Sequence, residues 1–156
     1  MGRSASRGAV RAGSAARTPR RRLRRPSPGE TGLLELARAL DVVAAAPSPG
    51  DTVGEVLTCL AQAFDPGAPL PRQLAQAWLR TRGDKTGALA LGWAREQVRR
   101  ALAEALLRAW GPASATADMA AWVLLAAAEA EAREPGGSVG DRLRTVCDAI
   151  RRSARS

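Results

Sequence analysis

Short breaks rich in proline, glycine and serine divide residues 30–156 into six segments, and each segment carries apolar residues at helical spacing. Residues that recur at i, i+3, i+4 and i+7 form one face of an α-helix, whereas a strand needs an alternation of period two, which no window of this chain sustains. Proline and glycine end helices because proline lacks a backbone donor and glycine leaves the helical conformation easily. We therefore predict an all-α fold, with about six helices in a single bundle-like domain, over residues 31–46, 51–64, 70–81, 84–110, 114–133 and 138–152.

The basic residues are distributed very unevenly along the chain. Residues 1–29 contain nine arginines and no acidic residue, whereas residues 30–156 contain 15 basic and 15 acidic groups. Within residues 1–25, only Val10 and Leu23 are large apolar side chains, so this segment cannot bury enough surface to offset the entropy of ordering it. We predict a disordered basic tail over residues 1–29 and one folded domain over residues 30–156.

The composition excludes several kinds of catalytic and metal site. The chain has no histidine, which rules out Ser-His-Asp and Cys-His catalysis and histidine-ligated metals. Its two cysteines, Cys59 and Cys147, are far apart in sequence and fit buried apolar positions in a protein of the reducing cytoplasm. The acidic residues Glu129, Glu131 and Glu134 are typical of a solvated helix end. We predict that the protein is not an enzyme and needs no metal or cofactor.

The fifth segment differs from the others because its apolar residues cover every side of the helix. The run Met119–Ala128 contains ten apolar residues, too few to span a bilayer. A soluble helix that is apolar all round must be covered on both sides. Two arrangements satisfy this requirement: a central helix surrounded by its own neighbours, or a helix that faces its own core on one side and a partner chain on the other. We favour the second arrangement, a homodimer.

The order of the segments (a medium helix, two short ones, a long one and a final pair) resembles the effector domain of TetR-type transcriptional regulators. Residues 117–127 are similar to the penultimate helix of that family, and residues 26–35 are similar to the stretch after its recognition helix, with Leu33 and Leu34 following the small residue Gly32. The resemblance covers residues 26–156. A helix-turn-helix needs a small apolar core, which residues 1–25 lack, and one hypothesis is that they are a truncated or frame-shifted remnant of a regulator.

The resemblance implies two sites. The last two helices of the family pair with those of a second subunit, which implies a homodimer interface at Met119, Trp122, Val123, Ala126, Leu143, Val146 and Ile150. The family's ligand cavity lies among the middle helices, which implies that a small apolar effector contacts Phe64, Trp78, Leu91, Trp93 and Val98. The alternative for these five side chains is an ordinary core role.

The basic tail allows a second interpretation. A compact arginine cluster can neutralise phosphates without reading a base sequence, and it can also bind an anionic membrane surface or remain solvated without a partner. The candidate contacts to nucleic acid are Arg20, Arg21, Arg22, Arg24 and Arg25. Two functions are therefore predicted: a TetR-like regulator, or a truncated remnant of one, that dimerises and senses a small apolar ligand; or a non-enzymatic interaction module whose tail binds nucleic acid or another polyanion.

Overall fold

Six α-helices form the regular structure in the part of the chain that the computed structural model describes, residues 24–45, 52–111, 115–133 and 137–153. Those residues contain no strand, which confirms the predicted all-α fold, and each helix end lies within three residues of its prediction. Residues 1–23, most of the predicted tail, lie outside the described residues. The helices are α1 (Pro28–Ala45), α2 (Thr52–Ala63), α3 (Pro69–Arg80), α4 (Lys85–Trp110), α5 (Ala115–Glu131) and α6 (Val139–Ser153).

The longest helix, α4, is the centre of the bundle. It packs most extensively against α1 and then against α5, and it also contacts α2 and α3, while α6 packs on α5 and α2. Its inward side is apolar and fully or almost fully buried, at Leu91, Ala94, Val98, Ala101, Leu102, Ala105 and Leu106. Asp84 caps the start of α4 by accepting a 3.0 Å hydrogen bond from the Gly87 amide, and Gly111 ends the helix with a φ of 87°.

The first helix begins at Pro28, inside the segment predicted as tail, because Ser27 and Glu30 form a capping box. The Glu30 amide donates to Ser27 Oγ at 3.3 Å, and the Ser27 hydroxyl donates back to Glu30 Oε1 at 3.0 Å, so Ser27 satisfies one of the free amides at the start of the helix. Gly32 lets α1 approach α3 closely, since a Cβ added there would lie 2.8 Å from Leu70 Cδ1. A side chain at this position would therefore require the end of the Leu70 side chain to move.

None of the described helices is long and apolar enough to cross a membrane. The two cysteines are free thiols. Cys147 is buried in the core as predicted, and Cys59 is partly buried. Burial raises the pKa of both thiols, which keeps them protonated near neutral pH.

Candidate functional site

The helix α5 presents an apolar surface on two opposite sides. Its inner side is buried against α4 and α6, through Ala117, Ala120, Ala121, Leu124, Leu125 and Ala128. On its other side Met119, Trp122 and Val123 are 61%, 53% and 41% exposed. These three residues, spaced i, i+3 and i+4, are called the outer α5 face below. The described part of the chain thus covers α5 on one side only, and α4 takes the central position in the bundle.

A salt bridge lies beside the outer α5 face. Arg95 on α4 donates to both carboxylate oxygens of Glu129, with Nε–Oε1 and Nη2–Oε2 distances of 2.7 and 3.0 Å. The same guanidinium lies 5.1 Å from the ring centroid of Trp122, a cation–π arrangement. Arg95 therefore fixes the position of Trp122 and neutralises Glu129 at the same time.

A second group of ions ties the start of α5 to α4. Arg99 donates hydrogen bonds to Asp118, in the first turn of α5, and to Glu96, one turn earlier on α4. These hydrogen bonds and those of Arg100 hold the pKa of Glu96 at about 2, because they stabilise the ionised carboxylate. The acidic groups beside the outer α5 face are thus each paired with an arginine.

The remaining predicted interface residues divide into two groups. Ala126, Val146 and Ile150 are partly buried, and Val146 and Ile150 pack against the edge of the core. Leu143 has 0% exposure, so it is a core residue of this chain and is not available to a partner. The prediction treated the apolar stripe of α6 as a surface, whereas the structure uses most of that stripe inside the domain.

A cavity of about 350 Å³ lies between α3, the turn before it and the end of α5. Its apolar wall includes Phe64 and Trp78, two of the predicted ligand contacts. Phe64 is almost completely buried, whereas Trp78 is 42% exposed. We call this space the Trp78 cavity; its lining residues are Phe64, Pro66, Pro71, Arg72, Leu74, Ala75, Trp78, Glu129, Ala132 and Arg133.

The structure does not bring the other three predicted ligand contacts to this cavity. Leu91 and Val98 have 0% exposure and pack in the core, as the alternative interpretation holds. Trp93 is on the other side of α4, 59% exposed, and lines a separate shallow pocket against α1. Trp93 faces away from Leu91 and Val98 because residues two or five apart on a helix lie on different sides.

Two arginines in the Trp78 cavity were not predicted. Arg72 and Arg133 line it, both exposed, and among the described residues neither forms a salt bridge. They are distant in the sequence and line one cavity only because of the fold, and the ligand contacts predicted from the sequence were all large apolar side chains. A proline-flanked arginine at the start of a helix, such as Arg72, is the one weak signal in the sequence.

A larger groove, of about 670 Å³, lies between α1, α2 and the start of α3. Proline, alanine and glutamine side chains form much of its lining, together with Cys59 and Glu35. Burial and nearby Glu55 raise the pKa of the Cys59 thiol, which makes this cysteine a weaker nucleophile at neutral pH than an ordinary thiol. Among the described residues, no group of three or more Cys, Asp or Glu side chains could hold a metal ion.

Of the predicted nucleic-acid contacts, the structure describes Arg24 and Arg25. Arg20, Arg21 and Arg22 lie outside the described residues. Arg24 donates to both oxygens of Glu30, at 2.7 and 2.5 Å, and these bonds lower the pKa of the buried Glu30 carboxyl. Arg24 therefore holds the start of α1 and is not free for a phosphate, whereas Arg25 is exposed.

Comparisons of this chain with protein-family models, with curated proteins and with solved structures found no match.

Proposed function

We propose that this chain is a non-enzymatic regulatory domain of the TetR effector type, which forms a homodimer through α5 and binds a small ligand. The outer α5 face carries the proposal. Met119, Trp122 and Val123 form a continuous exposed apolar stripe on a helix whose opposite side is completely buried. Exposed apolar surfaces of this kind are typical of protein–protein contacts, and a tryptophan is among the residues that contribute most to such contacts.

The charges around the outer α5 face support a second copy of the chain as the partner. In a two-fold interface the same surface meets itself, so any net charge on it would repel its own copy. Here the neighbouring Glu129 is paired with Arg95, and Asp118 is paired with Arg99. The pairing leaves an apolar surface with a neutral border, which is compatible with self-association.

The Trp78 cavity supports the ligand-binding half of the proposal. Cavities of roughly 300–1,000 Å³ with a mostly apolar lining and a few polar groups are typical of small-molecule sites, and this cavity has about 350 Å³. It borders α5 at Glu129, whose partner Arg95 also contacts Trp122. A ligand in the cavity would therefore lie next to the helix that we propose as the dimer interface.

The oligomeric state tests the proposal directly. We expect the wild-type chain to have the mass of a dimer in size-exclusion chromatography with light scattering. Trp122→Glu places a carboxylate from each subunit in the apolar contact, which should weaken dimerisation by about 30-fold or more. Thr145→Glu adds the same charge at an exposed position on α6, away from its apolar stripe, and should remain a dimer.

Two results would contradict the proposal. One is a wild-type chain that is monomeric at every accessible concentration. The other is a Trp122→Glu variant that dimerises as strongly as Thr145→Glu, which would show that any dimer forms through another surface. Circular dichroism of both variants checks that their helical content is unchanged.

A second function, polyanion binding by the basic tail, is favoured by the segregation of charge: nine arginines without an acid precede a domain of balanced charge. Deleting residues 1–23 removes seven of them and keeps the Arg24–Glu30 pair that holds α1. We expect this deletion to abolish salt-sensitive binding to duplex DNA, measured by fluorescence anisotropy at two salt concentrations. Binding that persists after the deletion would exclude the tail as its cause.

A further inference from the structure

We infer that the Trp78 cavity binds a small aromatic carboxylate, with the ring against Trp78 and the carboxylate between Arg72 and Arg133. The inference rests on the proposed function in one respect, that this chain binds a small ligand, and it names the chemical class of that ligand. Three features of the cavity lead to it: its size, its exposed indole and its excess of positive charge.

The size and the apolar wall favour a ring of one or two fused cycles. The cavity has about 350 Å³, at the small end of the range for ligand sites. Phe64 and Leu74 close its inner side and are buried, while Trp78 keeps 42% of its surface exposed at the rim. A flat indole that is half open to a cavity offers an aromatic ligand a stacking partner.

The charges favour an anion. Arg72 and Arg133 line the cavity, and neither forms a salt bridge with a described residue. The acidic residue of the lining, Glu129, already has both oxygens bonded to Arg95, so it neither neutralises the two arginines nor attracts a cation. The cavity therefore has two guanidinium groups without an acidic partner in the described part of the chain, and the guanidinium fork matches a carboxylate in geometry and charge.

Isothermal titration calorimetry with a matched pair of probes tests the inference. The probes are 2-naphthoate and its neutral amide, 2-naphthamide, which have the same ring and nearly the same shape. We expect the carboxylate to bind about tenfold more tightly than the amide at low salt, as two partly exposed ion pairs would give. The preference should decline as salt is added, because exposed charges are screened.

Charge-matched variants locate the site. R72Q/R133Q should remove the preference for the carboxylate, while R80Q/R82Q, which removes two exposed arginines outside the lining, should keep it. Trp78→Ala should weaken both probes by about five- to tenfold, while Trp93→Ala, at an exposed tryptophan of another pocket, should leave both unchanged.

Each failure has a distinct meaning. Equal affinity for carboxylate and amide, or an equal loss in R80Q/R82Q and R72Q/R133Q, would overturn the inference, although binding that depends on Trp78 would still support the proposed ligand-binding function. If neither probe binds, both the inference and the use of this cavity for ligands are overturned. The dimer mass, measured by light scattering on the same samples, reports separately on the interface.

Discussion

The last two helices, α5 and α6, use their apolar residues in different ways. The stripe of α6 faces its own domain, where Val139, Leu143 and Cys147 are buried, and the rest of that helix is mostly polar. The helix α5 fills the core with small residues on one side and exposes Met119, Trp122 and Val123 on the other. The amphipathic α6 is accommodated by its own chain, whereas α5 keeps an apolar side that the described residues do not cover.

The two helices also differ in how ions attach them to the bundle. Arg95 joins α4 to α5 through a half-buried, two-oxygen contact with Glu129. Arg142 joins α6 to α5 through a single 2.8 Å bond with Glu131, and its side chain is 44% exposed, against 22% for Arg95. Ion pairs should therefore contribute more to the stability of the packing of α5, and burial of apolar side chains should contribute more to that of α6.

The largest expected effect is on the core side of α6. Leu143→Ala removes a side chain with 0% exposure and leaves a cavity between α5 and α6, so the free energy of unfolding should fall by about 2–5 kcal/mol. Urea unfolding followed by circular dichroism measures the change. Thr145→Ala, two residues away on the exposed side, is the control and should change stability by less than about 0.5 kcal/mol.

A small effect of Leu143→Ala would contradict the distinction between α5 and α6. A loss below about 1 kcal/mol would mean that Leu143 is poorly packed and that the stripe of α6 is not satisfied within its own chain. In that case the prediction of an interface formed by both helices would regain its support.

A smaller effect is expected from Arg95→Met. The change keeps the aliphatic contact but leaves the half-buried Glu129 carboxylate without its partner, and we expect a loss of about 1–2 kcal/mol, below that of a fully buried pair because both side chains are partly exposed. Arg142→Met removes a single hydrogen bond made by a more exposed arginine and should cost less, at most about 1 kcal/mol, although Glu131 is as buried as Glu129. Thermal unfolding at low and high salt gives both values.

Equal losses in the two methionine variants would contradict the distinction between the helices. A double variant, Arg95→Met with Glu129→Gln, sharpens the result, because the amide no longer leaves a buried charge and part of the loss should be recovered. No recovery would mean that the cost comes from the contact of Arg95 with Trp122.

The sequence predicts the fold well because local signals determine most of it. Proline and glycine mark the helix ends, and the helical period identifies inward residues such as Leu60 and Leu102, both of which are fully buried. The early start of α1 at Pro28 was missed, although Ser27 and Glu30 have the spacing of a capping box. The residues before that box resemble the tail in composition, which hid the signal.

The candidate site is less predictable because it depends on how helices are placed beside each other. Periodicity identifies Trp78 as part of the apolar stripe of α3, but whether an edge residue is covered depends on the next helix, and here it remains partly open. Arg72 and Arg133 line the same cavity only in the folded chain. For Leu143, the helical period predicts an apolar face on α6. It does not show whether the residues that pack on this face belong to the same chain or to another.

The smallest expected effect is a pH-dependent one at the start of α5. Arg99 holds Glu96 and Asp118 together, and it lowers the pKa of Glu96 from an ordinary value of 4.5 to about 2. Folding therefore favours the ionised carboxylate, so its stabilisation is fully present above about pH 4.5 and is lost as the pH falls towards 2. Relative to Glu96→Gln, the wild-type chain should be more stable at pH 6, by less than about 1 kcal/mol since the group is over a third exposed, and this difference should vanish near pH 2.

The start of α6 provides the contrast for this measurement. Its cap is the neutral hydroxyl of Ser138, which accepts a 3.3 Å bond from the Asp141 amide. Ser138→Ala should cost about 0.5–2 kcal/mol, and this cost should not change with pH in the way that the difference between the wild-type chain and Glu96→Gln does. Acid should thus weaken the attachment of α5 and leave the cap of α6 intact. If the difference between the wild-type chain and Glu96→Gln is constant from pH 6 to pH 2, the carboxylate does not hold α5 through Arg99, and the two helices are attached in the same, charge-independent way.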